Sequence, residues 1–153
     1  MLLDGLLLFL LIKLPCAIIF KKYMGELMKQ IYEIYVKDHF SAAHALRGYD
    51  GNCARMHGHN WIIEAYIQCT KLNQLGIAID FRDVRSTLKT ILEKFDHTDL
   101  NQLDEFESVN ATSENLAKFI YKELETHFKT EHSNVSKVKV LESPGCGSTY
   151  WEE

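Results

Sequence analysis

The sequence predicts an α+β domain in the order ββααββ, a four-stranded antiparallel sheet with two helices on one face. Two early segments alternate apolar and polar residues, the two that follow repeat apolar residues at helical spacing, and the C-terminal stretch returns to alternation around a turn.

The first strand is IYEIYVKDHFSAAH, Ile31 to His44, with Tyr32, Ile34, Val36, Phe40, Ala42 and His44 on one face and Glu33, Lys37 and His39 on the other. ALRGYDGNCARM follows as the loop of a long hairpin, because Gly48, Asp50, Gly51 and Asn52 suit turns and positive φ. HGHNWIIEAYIQCT is the return strand, and its inward set is His57, His59, Trp61, Ile63, Ala65 and Ile67. A turn at Asn73 to Gly76 leads to a helix capped by Asp80, with Phe81, Val84, Leu88, Ile91, Leu92 and Phe95 along its seam. A second helix starts at the cap candidates Thr112 and Ser113 and sets Leu116, Ile120, Leu124 and Phe128 four apart. VSKVKVLES, a turn at Pro144 to Gly147 and STYWEE complete a second hairpin.

The chain has 153 residues, enough for one domain with a real core. Its formal charge of −4 supplies no field for nucleic acid, although a few local cations could still hold a phosphorylated small molecule. Cys16, Cys53, Cys69 and Cys146 form no C-x-x-C pair or framework spacing, which fits reduced thiols in a cytoplasmic protein. Residues 1–28 form a strongly apolar extension. Asp4 is the one early charge, which suits a secretory signal poorly, and Lys13 and Pro15 interrupt the run a spanning helix would need. We read the extension as dispensable or as a start called upstream of Met24, with the domain at 29–153 and no membrane association expected.

The chemistry centres on three histidines. In H-G-H, His57 and His59 project from one face of a strand, and His44 ends the inward face of its hairpin partner. Three converging imidazoles with no fourth protein ligand form the pattern of a catalytic zinc site with an open position. Cys53 lies four residues before His57. It could close the site as a fourth ligand, act as a nearby thiolate base, or be inert, and spacing alone leaves these open. Asp96 and His97 pair a carboxylate with an imidazole at the end of the first helix, a pairing common on solvated surfaces. Glu142 continues the inward set of Val138 and Val140, so something must compensate an anion there: a ligand with paired N–H donors, or a buried Arg or Lys.

FSAAH, CARMHGHN, IDF, FDHTDLN, ATSENLA and LESPGCGSTYW, in that order and spacing from about Tyr32 to Trp151, resemble the 6-pyruvoyl-tetrahydropterin synthase superfamily. Within it the C-x-x-x-H-G-H spacing is most similar to the 6-carboxytetrahydropterin synthases of queuosine biosynthesis. The resemblance implies the T-fold, whose protomers join their sheets into a barrel, and a hexamer-like homo-oligomer with active sites at subunit interfaces. It implies zinc on His44, His57 and His59, Cys53 as base, His97 in proton relay supported by Asp96, and Glu142 as anchor for the pterin's N–H groups. The implied substrate is 7,8-dihydroneopterin triphosphate, and the implied products are 6-carboxy-5,6,7,8-tetrahydropterin, acetaldehyde and triphosphate. Arg47, Arg55 and lysines of a neighbouring subunit are candidates for the triphosphate. The competing expectations are a pyruvoyl-type synthase that eliminates triphosphate and keeps the carbon chain, and a non-enzymatic zinc or pterin-binding module closed by Cys53.

Overall fold

Alternation and helical periodicity become five strands and two helices in the computed structural model, which describes residues 30–153. The expected extension at 1–28 lies outside the described residues. The strands are β1 (Tyr32–His44), β2 (His57–Cys69), β3 (Thr98–Asp99), β4 (Ser133–Ser143) and β5 (Cys146–Tyr150), and the helices are α1 (Phe81–Glu93) and α2 (Ser113–Phe128). They build one sheet in the order β3-β1-β2-β4-β5.

All the neighbouring pairs are antiparallel except β1 with β3, which run parallel. This corrects the four-stranded expectation. After α1 the chain runs along the free edge of β1, where His97 N–H donates to the Ser41 carbonyl at 2.6 Å before Thr98 and Asp99 pair with Ala42 and Ala43. A two-residue strand has no alternation to betray it.

The β1–β2 register is continuous from Tyr32↔Cys69 to His44↔His57, so the inward faces expected of both strands fall together. Phe40, Trp61, Ile63, Ala65 and Ile67 are buried there against Val84, Leu88 and Leu92 of α1 and Leu116, Ile120 and Leu124 of α2. Cutting one such leucine to alanine would cost about 2–5 kcal/mol, since the close-packed surroundings cannot fill the void. Phe81 departs from the expected seam: it is 56% exposed at the first residue of α1, and the fully buried Phe95 closes the seam from beyond the helix's other end.

Asp80 caps α1 as expected, and of the two candidates for α2 Thr112 is the cap while Ser113 is the first helical residue. The Asp80 carboxylate accepts from Arg82 N–H, and the bonds from the Arg82 guanidinium and N–H hold that carboxyl at about 2. The Thr112 side chain accepts from Asn115 N–H.

β4 carries two bulges. Tyr66↔Lys137 followed by Ile67↔Val135 leaves Ser136 unpaired against β2, and Leu141↔Gly147 followed by Ser143↔Cys146 leaves Glu142 unpaired against β5. The turn itself is shorter than expected, with Cys146 and Gly147 already in β5. Gly147 is required there, because a Cβ would lie 2.3 Å from the Val140 carbonyl oxygen. No helix among the described residues is long and apolar enough to cross a membrane.

Candidate active site

Where β1 ends and β2 begins, the antiparallel register sets His44 opposite His57, and His59 two residues along projects to the same side. The ring centroids are 4.5 Å apart for His44 and His57, 5.2 Å for His44 and His59, and 4.9 Å for His57 and His59. One ring nitrogen from each lies within 4.8 Å of those from the other two, and the group contains no thiolate or carboxylate.

Two of the rings are oriented by main-chain carbonyls. Nδ1 of His44 meets the Ala111 oxygen at 2.6 Å, and Nδ1 of His57 meets the Arg55 oxygen at 2.8 Å. A ring nitrogen facing a carbonyl carries the proton, so Nε2 of each neutral ring keeps its lone pair. Nε2 of His44 and Nε2 of His59 are buried without a hydrogen-bond partner among the described residues. Two orphaned ring nitrogens in a cluster of imidazoles are costly unless something binds them.

Trp61 forms the floor, fully buried and edge-on to His44 at 5.0 Å and to His59 at 5.2 Å. Burial pushes His44 below the ordinary imidazole range, opposed by the Ala111 hydrogen bond, lowered further by His57 and His59, and raised by the negative charge of Glu142. Three converging imidazoles, two of them oriented by main-chain carbonyls, fit a metal ion.

Cys53 sits in the short 3-10 turn Asn52–Ala54 of the hairpin loop, partly exposed and outside the nitrogen cluster. Its carbonyl accepts from Leu46 N–H at 2.8 Å, which ties the turn back to the end of β1. Glu142 is half-buried, so the expected buried anion is relieved by partial exposure at the bulge. It acts electrostatically on His44 and makes no hydrogen bond or ion pair within the described chain, so neither a buried Arg nor a buried Lys compensates it.

Asp96 and His97 form the outer side. His97 has φ 59, in the left-handed region, at a cost of about 1–3 kcal/mol that its bond to Ser41 helps offset. One Asp96 oxygen accepts from Ser41 N–H at 2.9 Å, and the other lies 3.0 Å from Nδ1 of His97. The Ser41 bond, with His97 and His39 adding, holds the Asp96 carboxyl below its usual range. His97 and His59 border the same open depression of about 450 Å³ with Ser41, Ala43, Gly58 and Asn60.

Arg47 takes a different place from the one expected. Its guanidinium donates to the carbonyls of Phe106, Glu107 and Val109, so it braces the chain instead of presenting charge to a phosphate. Two asparagines do similar work. Asn101 accepts from Ala45 N–H and donates to the Ala45 carbonyl, and Asn110 does the same with Arg47. Asn101 ends the FDHTDLN segment and Asn110 precedes ATSENLA, and that placement is their one signal in the sequence.

Comparison with known proteins accords with this arrangement. The family model described as 6-pyruvoyl tetrahydropterin synthase matches residues 33–153. A 6-carboxy-5,6,7,8-tetrahydropterin synthase from Rickettsia felis is 30% identical over 125 residues, spanning 70% of this chain and 91% of that protein. A 6-pyruvoyl tetrahydrobiopterin synthase from Dictyostelium discoideum is 30% identical over 95 residues, spanning 61% and 68%. The structure of Caenorhabditis elegans 6-pyruvoyl tetrahydropterin synthase superposes with a TM-score of 0.71 at 24% identity, covering 81% of this chain and 97% of that one, a likeness of fold. With the family model spanning both hairpins, both helices and all three histidines, the chain belongs to the 6-pyruvoyl tetrahydropterin synthase family.

Proposed function

We propose that this chain is a zinc-dependent 6-carboxy-5,6,7,8-tetrahydropterin synthase. It converts 7,8-dihydroneopterin triphosphate to 6-carboxytetrahydropterin, acetaldehyde and triphosphate, a lyase step toward queuosine. The observation that carries this reading is a three-imidazole cluster containing no thiolate, with Cys53 in the turn just ahead of it. Relatives named for the carboxy product support the choice of branch.

His44, His57 and His59 hold the zinc. When bound, zinc supplies Lewis acidity toward the oxygens of the substrate side chain. Cys53 takes a proton from that side chain as general base, and His97 returns or removes another. Asp96 orients His97 through Nδ1, leaving Nε2 for the substrate. Glu142, which has no hydrogen-bond donor among the described residues, accepts from the pterin's amino and ring N–H groups.

Residues 29–153 form the catalytic domain and 1–28 an extension it does not need. The protein works in the cytoplasm as a homo-oligomer whose sheets join into a barrel, with active sites at its interfaces.

A pyruvoyl-type reaction is the second reading, favoured by the Dictyostelium relative. Mass spectrometry of the products from 7,8-dihydroneopterin triphosphate separates the two. We expect the carboxypterin with acetaldehyde; a pyruvoyl product without acetaldehyde would sink the first reading.

A further inference from the structure

The segment that supplies the Ala111 carbonyl has no regular structure of its own between Glu107 and Thr112, so something outside it must hold that oxygen on His44. The contacts that do so converge on Arg47, three residues past His44. Its guanidinium gathers the Phe106, Glu107 and Val109 carbonyls, with distances of 2.8 Å to Glu107 and 2.5 Å to Val109. Its own N–H donates to Asn110 Oδ1 at 2.8 Å, and Asn110 Nδ2 donates back to its carbonyl at 3.0 Å. Asn115, in the first turn of α2, donates to the Asn110 carbonyl at 2.9 Å and fixes that segment from the other side. Ala111 is the next residue.

We propose that Arg47 and Asn110 form a positioning latch for the metal centre. The latch holds the Ala111 carbonyl on Nδ1 of His44, fixing that ring in its Nδ1–H tautomer with Nε2 toward the metal. Neither residue belongs to the imidazole cluster. The latch works because a guanidinium presents its N–H groups in a rigid fork, which can satisfy several carbonyls of one bent segment at once. A lysine at position 47 keeps the charge and cannot reproduce the fork. An aspartate at position 110 keeps the acceptor for Arg47 N–H and loses the donor to its carbonyl.

This inference rests on the metal reading above, and its test separates the two. Zinc affinity is measured by chelator competition on the full chain, alongside ¹⁵N NMR of the histidine tautomers in the metal-free protein, for wild type, Arg47→Lys and Asn110→Asp. We expect a loss of about 10–100-fold in zinc affinity for each variant, the usual cost of removing support behind a metal-ligating imidazole. We also expect His44 to change from one Nδ1–H tautomer to a mixture. Leu124→Ala, a core variant remote in sequence from the latch, lowers the melting temperature and leaves zinc affinity unchanged. Wild-type affinity and an unmixed tautomer in both latch variants would overturn the latch and leave the metal reading standing. A wild-type protein that binds no zinc would overturn both.

Discussion

His44 ends β1 and His97 stands at that strand's edge, yet His44 is 1% exposed and the His97 side chain is 81% exposed. His44 is enclosed by two other imidazoles and the edge of Trp61, with its Nδ1 fixed by a carbonyl. His97 is fixed through its backbone and through Asp96, and its ring faces an open depression. One chain therefore completes the imidazole cluster, the side we propose holds the metal, where ligand geometry must be set before anything binds. The side we propose transfers protons is an open depression. An exposed ion pair is worth little in water and gains strength only when water is displaced, which substrate and a neighbouring subunit would do in the barrel we propose.

The sharpest way to break this contrast is to remove an imidazole from the enclosed side. His59→Ala should take zinc from about one per chain to near zero and abolish turnover with it, checked by metal analysis of the dialysed protein. Full zinc occupancy in that variant would mean the cluster is not the metal site.

On the open side, His97→Ala should keep its zinc and lose about 10²–10⁴-fold in kcat. Asp96→Asn should lose less, because Ser41 and the His97 backbone still hold the ring nearby. Loss of zinc in either variant would merge the two sides.

The smallest effect concerns pH. Because burial depresses His44, the unfolded chain binds more protons between the ordinary value of 6.5 and the lower folded value. Stability of the metal-free protein is thus fully present above about 6.5 and is lost as pH falls through the folded value. Thermal midpoints across that range should fall more steeply for wild type than for His44→Asn. An equal slope would mean His44 is not held neutral by its surroundings.

Much of the enclosed side was legible in the sequence, because period-2 alternation determines faces and one hairpin register then brings His44, His57 and His59 together. The helix seams were legible for the same reason. What was not legible came from contacts distant in sequence. Asn101 meets Ala45 across 56 positions and Asn110 meets Arg47 across 63, and neither pairing leaves a periodic trace. Arg47 read as a free cation because a sequence shows charge and not the carbonyls that surround it. Glu142 read as buried because alternation was extended through a position where β4 bulges. The two residues of β3 were too few to show any pattern.

Zinc content and turnover measured together on Cys53→Ala test most directly whether the imidazoles hold the metal while the thiol does chemistry. We predict zinc at the wild-type level of about one per chain, with turnover of 7,8-dihydroneopterin triphosphate reduced by about 10²–10⁴-fold. Loss of zinc together with turnover would make Cys53 a fourth ligand and the centre a closed structural site.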